Sequence, residues 1–453
     1  MDRMTEYLAS YGSSIQYEDI PAVVRQKVKG LLIDTIACGI GGYASGPGEI
    51  VRRIAGRVCQ TDMPATILGS GQKSSPDLAT FANGVMIRYL DLNDGFVSKG
   101  RGHPSDNFAP VLTCADAVHA GGKEIMVASV LAYEVFCRLF DQFDISKTSF
   151  DHAVTVSISS ALGASKVLNL SQEQMIEALN LTIVPSLSLQ QTRAGELSMW
   201  KACASANAAR NAVFAVLLAK EGMTGPSPVF QGKFGFFRAV AGPFELDEFG
   251  GQERPFRVMN VSMKRYPCGQ HAQTVIDAAN IVRSKLSDIN DIAEIHVGTF
   301  TAGKTRMADD DEKWHPKTRE TADHSIPYVV AVTLMYGPLE IKHFADEILQ
   351  NGDLLDLIQK IKVEESKECN DLYPEASANR VEVITKSGKH FSELVKYHRG
   401  HHQNPLNDEE IEQKFHTLTK DHLSQIKRER LLSLLWNLEQ LDDASKIMEL
   451  LRI

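Results

Sequence analysis

Hydrophobic and polar positions change their rhythm twice along the chain. Up to about residue 258 the apolar residues recur at helical spacing. Val24, Val28, Leu31, Leu32 and Ile36 share one helical face, and Gly39 is the expected stop. Residues 125–140 are apolar on nearly all sides, as a buried helix would be. Ser171-Gln-Glu-Gln174 has the form of a capping box opening a helix through Leu179. Residues 202–218 are rich in small side chains, so other helices can approach them closely. Near residue 259 the pattern changes. Ile295, Val297 and Thr299 alternate with polar neighbours, as in a half-buried strand. Residues 380–384, a turn at Lys386-Ser-Gly388 and residues 390–396 predict a β-hairpin, with helical patterns such as 328–335 between. After Asn404-Pro405 the helical rhythm returns. Asn407 and Glu410 can cap one helix, and Leu431, Leu434, Leu435, Leu438 and Leu441 stripe another, which could pack back on the first part of the chain. Thus residues 1–258 and 400–453 are expected to be helical, and 259–399 a separate α+β unit.

Composition narrows the function. The chain has 453 residues, with 48 Lys+Arg against 57 Asp+Glu, a formal charge of −9. That balance argues against general nucleic-acid binding, which needs clustered cations. Seven cysteines (Cys38, Cys59, Cys114, Cys137, Cys203, Cys268 and Cys369) are widely spaced, odd in number and without a CxxC pair. They suggest neither a disulfide framework nor a zinc site. The N-terminus lacks the apolar run of a signal peptide, and the longest mainly apolar stretch, 326–339, is too short to span a membrane. A cytoplasmic protein with no membrane partner is expected.

Several motifs fail on context. Gly39-Ile-Gly41-Gly-Tyr-Ala44 follows a helical pattern rather than a strand, so a helix exit explains it better than a dinucleotide site. Asp91-Leu-Asn93-Asp94-Gly95 begins like a calcium loop, but its glycine is one position early and its twelfth residue is Gly102 rather than Glu. His398, His401 and His402 lack a carboxylate or cysteine to complete a metal site and read as a solvated loop.

The segment 91–107 is different. It places three carboxylates, two cations, a histidine and three glycines between the apolar helical stretches 78–90 and 108–118. A long polar loop between buried helices is often functional. Elsewhere His152, Lys201 and Tyr328 interrupt apolar surroundings.

These residues fall within ordered motifs. They are Leu32-Ile-Asp34-Thr-Ile-Ala-Cys-Gly39, Ala82-Asn83-Gly84, Leu90-Asp91 with Gly102-His103-Pro104-Ser105, the His152 segment, Gly195 through Lys201 to Asn211, Lys264-Arg-Tyr-Pro267, His324-Ser-Ile-Pro-Tyr328 and Asn404-Pro405. Through them the chain resembles the MmgE/PrpD family from near its start to about residue 420. The family includes 2-methylcitrate dehydratases, cis-aconitate decarboxylases and iminodisuccinate epimerases. The resemblance implies a large all-helical domain built from both chain ends, an inserted α+β lid over 259–399, a homodimer and an active site in the cleft between domains. It points to Asp91, His103, His152, Lys201, Lys264 and Tyr328 as site residues. His271 is a further candidate, because Gln273 stands where members often carry a histidine.

Such enzymes act beside a carboxylate on a small polycarboxylic acid. Charge developing on that carboxylate needs fixed cations and hydrogen-bond donors. Lys201 and Lys264 would supply these, with Arg193 and Arg101 as additions. His103 or His152 could move a proton near neutral pH. Asp91 could orient a histidine, and Tyr328 could donate to the leaving hydroxyl or to a carboxylate. Cysteine spacing offers no iron–sulfur set, and no metal ligand set is evident, so the expected chemistry is acid–base dehydration with no cofactor. The branch around 88–107 looks most like 2-methylcitrate dehydratase, with cis-aconitate decarboxylase, or an isomerase or epimerase of a small dicarboxylate such as iminodisuccinate, as the enzymatic alternatives. A helical scaffold without activity is the alternative from outside enzymology.

Overall fold

The computed structural model describes residues 2–58, 60–251 and 253–453; Cys59 lies outside the described residues. With 57% helix and 9% strand the chain is mainly helical. One large core joins the helices of the first 263 residues to Ile411, Phe415, Leu431, Leu435 and Leu451 from the C-terminal end. The reason is local. The helix Ala22–Gly41 is buried on nearly every side, so it needs partners on two faces. The helix Pro76–Tyr89 covers one face and Asp408–Thr419 the other. The helix runs through Gly39 and ends at Gly42, because packing on both sides outweighs the local tendency of glycine to stop a helix. Ser171 and Asn407 form the capping boxes read from the sequence.

The helix Trp200–Lys220 is long and apolar enough to cross a membrane by length and composition alone. It is a core helix, packed against Pro76–Tyr89, Ala153–Val167 and Gln172–Ile183. Its small residues permit that close packing: Ala206 lies so near Gly84 that an added Cβ there would meet it at 2.9 Å.

A second core begins at Tyr266 and runs to Val383. It sits on one face of a four-stranded sheet ordered Ile361–Glu365, Ile292–Thr299, Asn379–Thr385, His390–Val395. The first pair is parallel and the other two are antiparallel. The helices Gln273–Lys285 and Ile326–Tyr336 pack together in this unit. Asn379–Thr385 alternates strictly between buried and half-buried positions, as a strand covered on one side must.

The change of core falls between Met263 and Tyr266 rather than at 259, because Val261 and Met263 belong to the helical core. There the chain crosses into the second unit beside its own return crossing. The Met263 amide donates to the Gly400 carbonyl at 2.9 Å. Gly400 has φ +104°, and a Cβ there would lie 2.3 Å from the Met263 carbonyl oxygen, so the crossing requires glycine. The loop 398–402 is not solvated as expected. His398 and His401 are buried, and the His401 and His402 rings lie 4.2 Å apart.

Candidate active site

The polar segment after the helix Pro76–Tyr89 turns at Asp91, which holds a left-handed φ of 50°. The Asn93 amide donates to the Ser105 hydroxyl at 2.9 Å, closing the loop on itself. Phe96–Val97 and Arg101–Gly102 pair as a short hairpin, which presents Arg101 and His103 to a cleft. Gly102 is needed for space: an added Cβ would come within 2.8 Å of Phe136 and 3.0 Å of His152. His152 stands just before the helix Ala153–Val167, whose first turn is bonded by Asp151 through the Ala153 amide at 3.1 Å. The cleft, about 750 Å³ including open solvent, lies between the two cores.

His103 and His152 face each other across 5.4 Å, ring centre to ring centre. The His103 Nδ1 lies 2.6 Å from the Asp94 carbonyl oxygen. A carbonyl only accepts, so Nδ1 carries the proton and Nε2 keeps a free lone pair. Burial, with Arg88 and Lys264 nearby, holds the His103 pKa well below its ordinary value. His152 is shifted the other way. Burial alone would lower its pKa, but Asp151 at 3.3 Å and Asp106 at 3.7 Å outweigh it, and the net shift is upward. Ser205 lies 3.1 Å from the His152 Nε2. Two imidazoles with opposed tendencies therefore meet, one suited to take a proton and one to give it.

Behind the cleft lies a charged cluster. Asp91 is fully buried and pairs with Arg88 at 2.7 Å, Lys264 at 2.5 Å and Lys201 at 3.3 Å. Burial would raise its pKa, but those cations hold it well below the usual carboxylate range. Lys201 also pairs with Asp323 at 2.5 Å. The Asp323 carboxylate lies 2.6 Å from the His324 Nδ1, and the His324 Nε2 lies 3.4 Å from Asp91. Burial and Lys201 push the His324 pKa down to about 4. Asp91, Asp323 and His324 form a possible metal-binding group, with ligand atoms within 4.8 Å of one another. Residue spacing in the sequence gives no sign of this group, because Asp91 lies more than 230 positions from Asp323 and His324. The Lys201 ammonium stands between the two carboxylates, where a cation would bind.

The candidates from the sequence thus divide. His103, His152, His271, Arg101 and Arg193 line the cleft. Both ring nitrogens of buried His271 lack hydrogen-bond partners, and burial with Arg101 nearby lowers its pKa well below the ordinary value. Arg193 is paired with Asp151 at 3.0 Å. Gln273 is structural: it bonds the Arg265 and Tyr266 amides and the Tyr266 carbonyl. Lys201 and Lys264 do not reach the cleft as carboxylate holders, because both ammonium groups are taken up by buried carboxylates. Asp91 faces His324 rather than His103 or His152. Tyr328 is not in the cleft; it is fully buried in the second core, and its hydroxyl donates to the His343 carbonyl. The sequence reading missed His324, Asp323, Arg306 and Ser205 as site residues. Only His324 carried a signal, through its place in the His324-Ser-Ile-Pro-Tyr328 motif.

Fold and cleft together set two facing imidazoles and four guanidinium groups between a helical body and an α+β unit. Comparison with known proteins gives the family. Residues 6–248 match the MmgE/PrpD N-terminal domain and residues 266–440 the MmgE/PrpD C-terminal domain, and the chain belongs to the MmgE/PrpD family. It is 29% identical over 439 residues to the mitochondrial 2-methylcitrate dehydratase of Yarrowia lipolytica, covering 89% of this chain and 81% of the relative. The 2-methylcitrate dehydratase of Escherichia coli K12 is 27% identical, with 85% of this chain and 84% of the relative covered. Human cis-aconitate decarboxylase is 26% identical over 99% of this chain and 94% of its own length.

Proposed function

We propose that this chain is a hydro-lyase that removes water from 2-methylcitrate or a citrate-like tricarboxylic acid by acid–base catalysis, without a metal or cofactor. The observation that carries this reading is the pair His103 and His152, opposed in protonation and 5.4 Å apart in a cation-lined cleft. The His103 Nε2 takes the proton from the carbon beside a carboxylate. The electron pair of that C–H bond forms the new C=C bond, and the C–O bond to the hydroxyl on the next carbon breaks. His152 gives its proton to the departing hydroxyl, which leaves as water. His103 ends protonated and His152 neutral, and exchange with solvent restores both. Arginine in the cleft stabilises charge that builds on the carboxylate during proton removal.

The relatives named 2-methylcitrate dehydratase support this choice. The full-length match to human cis-aconitate decarboxylase supports a second reading, loss of carbon dioxide from cis-aconitate. The test is incubation of pure protein with 2-methylcitrate, citrate, cis-aconitate and iminodisuccinate, followed by proton NMR. Formation of an unsaturated acid from 2-methylcitrate or citrate is expected. Decarboxylation of cis-aconitate alone would favour the second reading, and inertness toward all four would sink both. A homodimer and a cytoplasmic location belong to the same proposal. Exposed Leu187, Leu189 and Trp200 around one surface hollow support a second copy, which sedimentation velocity tests. The six described cysteines are unpaired and buried, which supports a reducing compartment.

A further inference from the structure

Four arginines line the cleft, and they are not equivalent. Arg88 is neutralised by Asp91 at 2.7 Å and by Asp106 at 3.9 Å. Arg193 is neutralised by Asp151 at 3.0 Å. Arg101 and Arg306 form no ion pair among the described residues. Each instead reaches across the cleft to a neutral group on the opposite side. Arg101, from the helical body, donates to the Tyr373 hydroxyl at 3.4 Å in the α+β unit. Arg306, from the helix Thr301–Met307 of the α+β unit, donates at 3.3 Å to the side-chain oxygen of Gln190 in the helical body, with the Gln190 amide turned so that its nitrogen donates to the Phe150 carbonyl at 2.9 Å. Both contacts are long for hydrogen bonds from a guanidinium. His271 lies beside Arg101, with both nitrogens unpartnered and its ring packed on Phe300 and Tyr373.

We propose that Arg101 and Arg306 are the two carboxylate receptors of the cleft, one on each side, and that each exchanges its neutral partner for a substrate carboxylate. An unpaired guanidinium in a part-buried cleft gains far more from a carboxylate than from a phenol or an amide, through two parallel charge-assisted bonds. His271 adds a neutral donor next to Arg101. The site therefore selects an acid with two carboxylates outside the reacting C–O bond, and it has one receptor on each unit, so the bound acid ties the units together. This rests on the anionic-substrate reading above and deepens it, and Arg306 has no signal in the sequence.

The test uses calorimetric titration of the full chain with non-reacting acids of falling carboxylate number: propane-1,2,3-tricarboxylate, succinate and acetate. Both the tricarboxylate and succinate are expected to bind more tightly than acetate. Arg101→Gln and Arg306→Gln should each weaken tricarboxylate binding roughly 10–100-fold, the worth of a hydrogen bond to a charged group. Each should also narrow the preference for succinate over acetate. Arg306→Lys, which keeps charge but not the planar fork, should recover part of the loss. Circular dichroism and melting curves establish that the variants are folded. Wild-type affinity in both Gln variants, or no binding of any of the three acids by the wild type, would overturn the proposal. None of the ligands can lose water, so these outcomes are separate from success or failure of the dehydration assay.

Discussion

Replacing Asp91 by Asn removes one negative charge and almost no volume. Asn tolerates the left-handed backbone that Asp91 adopts at φ 50°, so the change tests charge rather than strain. Around this position Arg88, Lys201 and Lys264 face Asp91, Asp106 and Asp323, three cations against three carboxylates, all buried. His324, held neutral at pH 7 by a pKa near 4, does not alter that balance. Asp91→Asn therefore leaves one uncompensated buried cation. Breaking a buried pair from one side typically costs about 3–5 kcal/mol, and urea unfolding of the two proteins at pH 7 should show a loss of that size. Lys264→Met alone leaves the opposite imbalance. The double variant restores neutrality, so its loss should fall short of the sum of the single losses by roughly 1–3 kcal/mol. The acid response follows from the same geometry. The Asp91 carboxyl is held well below its ordinary value, so its contribution is complete above about pH 4 and is lost as pH falls through the folded-state value. Wild type and Asp91→Asn should thus converge in strong acid. If Asp91→Asn were within about 0.5 kcal/mol of wild type at pH 7, the range of an ordinary surface change, the account of this cluster would be wrong.

The rate should depend on pH on both sides of the ordinary histidine value near 6.5. The acid limb of kcat/KM, from His103, should lie below that value and the alkaline limb, from His152, above it; His103→Ala should lower turnover about 10²–10⁴-fold and abolish the acid limb, and a pH–rate profile checks this. Tyr328→Phe should leave turnover near wild type while destabilising the fold by about 1–3 kcal/mol, the cost of an orphaned buried acceptor, read by steady-state kinetics and urea unfolding. Exhaustive chelation should leave activity unchanged, because the Lys201 ammonium already stands between Asp91 and Asp323; loss of activity that one divalent metal restores would contradict this.

Much of the fold is legible because caps and periodicity are local. Ser171 and Asn407 signal their helices within four residues, and the alternation of 292–299 and 379–385 follows from covering one face of a sheet. The strand Ile361–Glu365 escapes notice because only Ile361 and Val363 mark its buried face. The site is less legible, because charge compensation acts over long sequence distances. Lys201 and Lys264 look like free cations until Asp323 and Asp91 are placed against them in three dimensions. Tyr328 shows the reverse. Its apolar neighbours indicate core, and its phenol is indeed bonded inside that core rather than offered to a ligand. The loop 398–402 looks solvated in sequence, but His398 is buried and sits 3.2 Å from cleft-lining Gln270, which belongs to a segment 128 residues away.

The helical body is sewn shut by its last residues, and this sets a clock on its synthesis. Lys414 pairs with Asp34 at 2.5 Å and donates to the carbonyls of Leu92 at 2.8 Å and Lys264 at 2.7 Å. Lys29 donates to the Trp436 carbonyl at 2.8 Å, and Gln26 reaches Asp408, 382 residues further along the chain. At about 5–20 residues per second the helix Ala22–Gly41 waits roughly 20–75 s on the ribosome for its second partner. Through that interval Asp34 has no Lys414, and Gly30 and Gly41 have no Ile411 or Leu418 packed beside them. All four strands of the α+β unit's sheet, by contrast, have been made once Val395 is reached. Until the terminal helices are made, the first long helix lacks the partner that Asp408–Thr419 supplies, so the helical body closes only when the end of the chain has been synthesised.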